Sequence, residues 1–201
     1  MRKNTGFTLI ELLITMVIGA LLLAIGLPAM KSFIQEGRMT VVANEMVAAL
    51  NAARSGAIRE NTFACVCPST DVTAAAPSCA ASSSWESGWI TFVDYNGNCT
   101  YETGGAPQDI LLKVYDGTQT MNSITVRNSD ASINGFNNIR FNARGVTQSI
   151  NGGIQKGTFK ICDERGLSVL SNGDSDARGV VVSASGTVRS TRNAAAIGAC
   201  P

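Results

Sequence analysis

Between Phe7 and Met30 the chain carries a single ionisable side chain, Glu11, and this apolar run constrains the molecule more than any other stretch. The 19 residues from Leu12 to Met30 are uncharged. As a helix rising ~1.5 Å per residue they would span about 28 Å, close to the hydrocarbon core of a bilayer. Arg2 and Lys3 precede the run, which favours a cytoplasmic N-terminus with the following chain delivered to the far side. A cleavable secretory signal shares this outline, and Leu27-Pro28-Ala29 offers a cleavage site. Glu11 argues for retention instead. A carboxylate near the start of an inserted helix costs about 2.5–3.5 kcal/mol, which a disposable signal has no reason to carry. A retained acid in lipid calls for a cation, and the simplest source is a neighbouring copy of the same kind of segment.

Past Met30 the helical pattern continues with a different character. Met39, Val42, Met46, Ala49, Ala53 and Ala57 recur at intervals of three and four residues with polar residues between them. One helix from about Thr8 to Arg59 is expected, amphipathic in the half after Met30, with Arg38, Glu45, Asn51 and Arg59 facing water or neighbours. Gly19, Gly26 and Pro28 are its weak points. Proline removes a hydrogen bond and glycine lowers helix propensity, so a kink or local unwinding is expected there.

From Phe63 onward short β-favouring runs alternate with Gly, Asn, Ser and Asp clusters. The runs are Trp89 to Val93, Ile110 to Tyr115, Ile124 to Arg127, Ile139 to Asn142, Thr158 to Cys162, Gly179 to Ser183 and Thr187 to Ser190. Asn96-Gly97 and Ser185-Gly186 read as turns, and Ser69 to Ser84 as a low-complexity loop. The expected fold class is α+β: a long N-terminal helix with a membrane half and an amphipathic half, packed on one or two antiparallel sheets.

Gly6-Phe7-Thr8-Leu9-Ile10-Glu11-Leu12 resembles the processing motif of type IV pilins and of type II secretion pseudopilins. The blocks Trp85 to Asp94, Phe159 to Gly166 and Ala177 to Ser183 are similar to the GspH/FimT family, which includes minor pilins. The resemblance implies the type IV pilin fold and a division into leader 1–6, membrane and assembly helix 7–30, amphipathic half 31–60 and β-rich globular domain 61–201. It implies cleavage between Gly6 and Phe7 by a prepilin peptidase, methylation of the new Phe7 amine, and pairing of Glu11 with that amine on an adjacent subunit. Its expected partners are other major and minor pilins and an inner-membrane assembly platform. The location implied is the bacterial inner membrane, with the globular domain periplasmic, followed by incorporation into a pilus or a secretion pseudopilus.

Six cysteines in an exported domain point to disulfides. Fifteen complete pairings are possible. Cys65 and Cys67 are expected to project from opposite faces of a strand and so to have separate partners. The arrangement favoured is Cys67 with Cys79 across the low-complexity loop, Cys162 with Cys200 at the C-terminus, and Cys65 with Cys99. A zinc site would compete for these thiols, but no C-x-x-C pair and no His is present.

The absence of His also removes the usual general base at neutral pH and the His-dependent triads, so no catalysis and no cofactor are expected. Asp94-Tyr95-Asn96-Gly97-Asn98 alternates oxygen ligands as a calcium loop does, but the glycine comes too early for an EF-hand, leaving a hairpin turn as the expectation. Charge is lopsided: residues 7–112 hold 4 basic and 9 acidic side chains, residues 113–201 hold 10 and 6. Arg178, Arg189 and Arg192 would give the last strands a modest phosphate-facing patch. Some pilins of this kind bind DNA through a C-terminal Gly-Arg-x-Arg motif; here Gly186-Thr187-Val188-Arg189 stands in its place, without the first arginine.

Overall fold

The computed structural model describes residues 6–81, 84–104, 106–117, 124–128 and 137–200. The leader residues ahead of Gly6, with Arg2 and Lys3, lie outside them, as do 82 and 83 of the expected Ser69–Ser84 loop. The chain divides into two compact units, one up to Gly37 and one from Arg38.

Helix α1, Leu9–Arg59, is helical without interruption through Gly19, Gly26 and Pro28. The expected unwinding does not occur at any of the three. A proline inside a helix removes one hydrogen bond, while each additional residue of a formed helix adds one, so long helical flanks carry the chain across the defect. In the second unit α1 buries Met39, Val42, Ala43, Met46, Ala49, Leu50, Ala53, Gly56 and Ala57. This is the stripe that the three- and four-residue spacing predicts.

Among the described residues eight strands follow: β1 Phe63–Pro68, β2 Gly88–Asp94, β3 Ile110–Asp116, β4 Thr125–Asn128, β5 Ile139–Phe141, β6 Gly157–Cys162, β7 Asp174–Val182 and β8 Val188–Asn193. They form two four-stranded sheets of order β3-β2-β1-β5 and β4-β6-β7-β8, with antiparallel pairing throughout. A short helix α2, Ala194–Ile197, closes the chain; the Asn193 side chain caps it by accepting from Ala196 N at 3.1 Å.

One core joins the α1 stripe to both sheets: Ala64 and Val66 from β1, Trp89 from β2, Phe141 from β5, Phe159 and Ile161 from β6, Val180 and Val182 from β7. Trp85 packs edge-on against Phe159 with ring centroids 4.9 Å apart, and Trp89 stacks on Tyr115 at 4.2 Å. A β-carbon at Gly56 would lie 2.6 Å from Leu112 Cδ1, so a larger residue there would require that flexible leucine tip to shift.

The far face of the first sheet carries a second cluster of Cys65, Cys67, Val72, Ile90, Phe92 and Cys99. This corrects the expectation that Cys65 and Cys67 leave opposite faces. Residues i and i+2 of a strand share a face, so Ala64 and Val66 enter the main core while both cysteines enter the outer cluster. Their α-carbons, two rises of a strand apart at about 6.6 Å, stand at the upper edge of the usual disulfide separation. The bridges are Cys65–Cys99, Cys67–Cys79 and Cys162–Cys200, with Cα separations of 5.6, 5.5 and 6.0 Å.

Candidate assembly site

Thr8 immediately precedes α1, and Glu11 is the third residue inside it. Thr8 Oγ1 accepts from Glu11 N at 3.3 Å, while Glu11 Oε2 accepts from Thr8 N at 3.4 Å and from Thr8 Oγ1 at 3.5 Å. This is a reciprocal capping box: each side chain satisfies a backbone N–H that the first helical turn leaves without a partner. The spacing Thr-x-x-Glu was readable in the sequence, and it gives Glu11 a local task that reasoning from membrane cost alone passes over.

Both Thr8 and Glu11 are exposed, and Phe7 is 84% exposed. The apolar residues from Leu9 to Met30 are exposed as well, and the most apolar 18-residue window of α1 has a mean hydropathy of 2.5 with none of it buried. The length and composition suffice to cross a membrane. Chemically, this end of the chain offers one carboxylate at the edge of an otherwise uncharged cylinder. An ionised carboxylate has about four acceptor positions. The capping contacts therefore leave capacity for an incoming ammonium group.

The globular unit spends its acidic groups differently. Asp94, at the end of β2, is fully buried; its Oδ1 accepts from Gly97 N and its Oδ2 from Cys99 N, both at 2.7 Å. Burial pushes its carboxyl up from the ordinary value of 3.8, against the pull of those two backbone donors and of Arg140. Asp109 holds the same loop from the other side, accepting from Tyr95 N at 3.1 Å and Glu102 N at 3.0 Å. Arg140 on β5 donates to the carbonyls of Gly97, Gln148 and Ser149 at 2.6, 3.1 and 2.7 Å and lies over the Phe63 ring at 4.2 Å. Burial pulls its guanidinium downward.

The expected hairpin turn at Asn96-Gly97 is thus part of a longer connection, since β3 does not begin until Ile110. Gly97 has the positive φ of 76° that a turn there requires. Cys65, Asp94 and Cys99 bring potential metal-ligand atoms within 4.8 Å of one another. Both sulfurs are consumed in a bridge, so the group is a crosslink braced by a carboxylate. Sequence reasoning missed Asp94, Asp109 and Arg140 as loop organisers because their partners are backbone groups far along the chain.

The three candidate arginines do not form one outward patch. Arg178 on β7 is 7% exposed, and its Nη1 donates to the carbonyl of Asp176 at 3.0 Å and to those of Ser175 and Ala177 at 3.5 Å. Arg192 Nε approaches the Ser175 carbonyl at 3.4 Å, and Arg189 is exposed on β8. Arg178 pairs with Ile161 in the unbroken β6–β7 ladder and shares a strand face with Val180 and Val182, so period-two alternation itself turns it inward. The phosphate-facing set expected from sequence therefore loses Arg178 to the interior.

Residues 42–186 match the family described as Type II transport protein GspH, and residues 1–27 match the prokaryotic N-terminal methylation motif. The chain belongs to the GspH family. As a GspH/FimT-type protein it is a structural pilin of the minor pilin and pseudopilin group, not an enzyme. Two crystal forms of the Pseudomonas aeruginosa type IV minor pilin FimU resemble the GspH-family chain in fold. The P21 form gives a TM-score of 0.54 at 17% identity, covering 84% of this chain and 99% of that one. The P65 form gives 0.49 at 18% identity, covering 81% and 99%. No curated protein sequence matches this GspH-family chain. The long N-terminal helix on antiparallel sheets is the type IV pilin fold.

Proposed function

We propose that this chain is a minor type IV pilin of the FimT/FimU kind. A prepilin peptidase cuts it between Gly6 and Phe7, and the new Phe7 amine is methylated. Segment 7–30 holds it in the inner membrane with a cytoplasmic N-terminus, 31–60 continues the helix, and the globular domain 61–201 faces the periplasm. Through the assembly platform it joins major and minor pilins to prime or tip the filament. What carries this reading is a coincidence of position. The methylation motif over residues 1–27 falls on a helix whose apolar window is entirely exposed and whose acid lies in the first turn.

In the filament, Glu11 meets the Phe7 amine of a neighbouring subunit, while Thr8 keeps the carboxylate aimed along the helix end. Two opposite charges in an apolar medium stabilise those registers in which they meet, so the pair sets stagger more than it adds stability. A Glu11→Ala variant is expected to stay in the membrane fraction, to keep the globular domain folded, and to disappear from sheared filaments. Mass spectrometry of the native N-terminus is expected to find N-methyl-Phe7; a chain beginning downstream of Ala29 would overturn the proposal.

A second reading, a minor pseudopilin of a type II secretion system, is favoured by the description of the family that residues 42–186 match. Deletion separates the two: a pilin deletion reduces surface pili, whereas a pseudopilin deletion leaves pili intact and retains secreted enzymes in the periplasm.

A further inference from the structure

Cys65, Cys67 and Cys99 share the cluster on the far face of the first sheet, and Cys79 packs against it. Cys162 sits apart in the main core, with Cys200 against it. Four thiols in one cluster allow three complete pairings. Joining Cys65 to Cys67 would bridge residues i and i+2 of one strand, at the edge of disulfide geometry. Two pairings remain: the observed Cys65–Cys99 with Cys67–Cys79, and the crossed Cys65–Cys79 with Cys67–Cys99. Strand face does not distinguish them, since β1 turns both of its cysteines the same way. Chain length does not either. The observed bridges close separations of 34 and 12 residues, the crossed ones would close 32 and 14, and closure entropy varies only with the logarithm of loop length. Cys79 Sγ also lies 3.4 Å from the Cys99 carbonyl oxygen, so the two loop cysteines reach the strand side by side.

Each loop is held by its own carboxylate. Asp94 Oδ2 accepts from Cys99 N at 2.7 Å and lies 3.5 Å from Cys65 Sγ, so one oxygen touches both ends of that bridge. With the bond from Gly97 N to Oδ1, it clamps the turn in which Cys99, though not a glycine, adopts a left-handed φ of 54°. Asp94 is itself placed by strand pairing with Phe63, two residues before Cys65. On the other loop Asp71 Oδ1 accepts from Ser78 N and from Ser69 Oγ, both at 2.8 Å, and Oδ2 accepts from Ser78 Oγ at 2.9 Å. Ala80 N donates to the Pro68 carbonyl at 2.8 Å. Cys79 is thereby fixed on both sides, next to the end of β1 that carries Cys67.

We propose that Asp94 and Asp71 are positioning residues for disulfide pairing: Asp94 delivers Cys99 to Cys65, and Asp71 delivers Cys79 to Cys67. Each bridge forms by two exchanges with a small disulfide such as oxidised glutathione. A cysteine thiolate attacks it and releases one glutathione thiolate; the second cysteine's thiolate then attacks the mixed disulfide and releases the other. The two cysteine protons end on the two released thiols. The second exchange is intramolecular, so the partner chosen is the thiol held nearest. That is the step on which the two carboxylates act.

The test reoxidises the reduced full chain in detergent with a glutathione buffer and maps the bridges by mass spectrometry of unreduced peptides. In Cys79→Ser, Cys99 chooses between the two strand cysteines, and Cys65–Cys99 is expected to exceed Cys67–Cys99 by about tenfold. Adding Asp94→Ala is expected to bring that ratio near parity. Asp94→Asn, which keeps one acceptor, is expected to fall between. In Cys99→Ser, Cys67–Cys79 is expected to dominate until Asp71→Ala is added. Two controls separate pairing from stability: Ile90→Ala, which hollows the same cluster, and Asp71→Ala are each expected to leave the Cys99 ratio unchanged. A Cys99 ratio unmoved by Asp94→Ala, one moved as far by Ile90→Ala, or a Cys79 ratio unmoved by Asp71→Ala would each overturn the proposal.

Discussion

The two halves of α1 are continuous in backbone and opposite in what they do with apolar side chains. From Met39 to Ala57 nine residues are buried in a stripe, whereas from Leu9 to Met30 every large apolar side chain is at least 48% exposed. Helix geometry cannot explain this, because the same α-helix runs through both. What differs is pattern. The second half interleaves polar residues, so its apolar face has one direction to bury; the first is apolar all round and no single surface of its own fold would satisfy it. An all-round apolar helix needs an all-round apolar environment, supplied by lipid or by other helices of its kind.

The sharpest way to break this comparison is to cut equivalent side chains from each half. Met46→Ala removes a fully buried side chain and is expected to destabilise the globular unit by about 2–5 kcal/mol. Leu22→Ala removes one that is 68% exposed and is expected to leave denaturant unfolding of the same unit unchanged. If Leu22→Ala lowers the unfolding midpoint as much as Met46→Ala, the division of labour along the helix is wrong.

The disulfides sharpen it next, since all three lie in the second unit. On loop-closure entropy, replacing Cys162 and Cys200 by serine, with a separation of 38 residues, is expected to cost about 4 kcal/mol. Replacing Cys67 and Cys79, 12 apart, is expected to cost about 3 kcal/mol. Thermal unfolding would show the order. Membrane retention, which belongs to the first half of α1, is expected to survive both changes.

The interior arginine comes third. Arg178→Gln strips a buried side chain of carbonyl contacts and is expected to cost about 1–3 kcal/mol, while Arg189→Gln on the exposed edge strand changes stability by less than about 0.5 kcal/mol. Equal effects in chemical denaturation would return Arg178 to the surface.

Arg178 also marks the limit of what the sequence made legible. Period-three-and-four spacing located the α1 stripe, and β-branched runs located most strands, because both patterns are local. β7 begins five residues earlier than its Val-rich segment suggests, since Asp174, Asp176 and Arg178 have no strand character of their own and are held by pairing and a bulge. Arg178 lies two residues before Val180 and so shares its inward face, a placement legible only once the strand is known to begin ahead of Gly179. Pro28 misled in the opposite direction: a strong local signal for unwinding yielded to the cooperativity of a long helix. At the candidate site, the Thr8–Glu11 box was visible as spacing, whereas the tasks of Asp94 and Arg140 depend on backbone groups that only the fold brings near.

The smallest expected effect is the pH dependence that Asp94 adds to the globular unit. Burial raises its folded-state pKa above the ordinary 3.8, so the folded chain holds this proton more tightly than the unfolded chain. The stabilisation is complete below pH 3.8 and is lost as pH rises from there through the higher folded value. Asp71 works against it: the N–H of Ser78 and the hydroxyl of Ser69 lower its pKa, so its contribution is present above 3.8 and is lost as pH falls through the folded value. The wild-type profile mixes both, and the decisive quantity is the difference between wild type and Asp94→Asn. Asparagine turns one of the two acceptors facing Gly97 N and Cys99 N into a donor, so the variant is expected to be less stable overall. Its deficit should nevertheless shrink as pH rises from 3.8, because wild type alone loses the proton-linked term. A deficit that grows over that interval in urea titrations would mean that the backbone donors of Gly97 and Cys99 outweigh burial at Asp94.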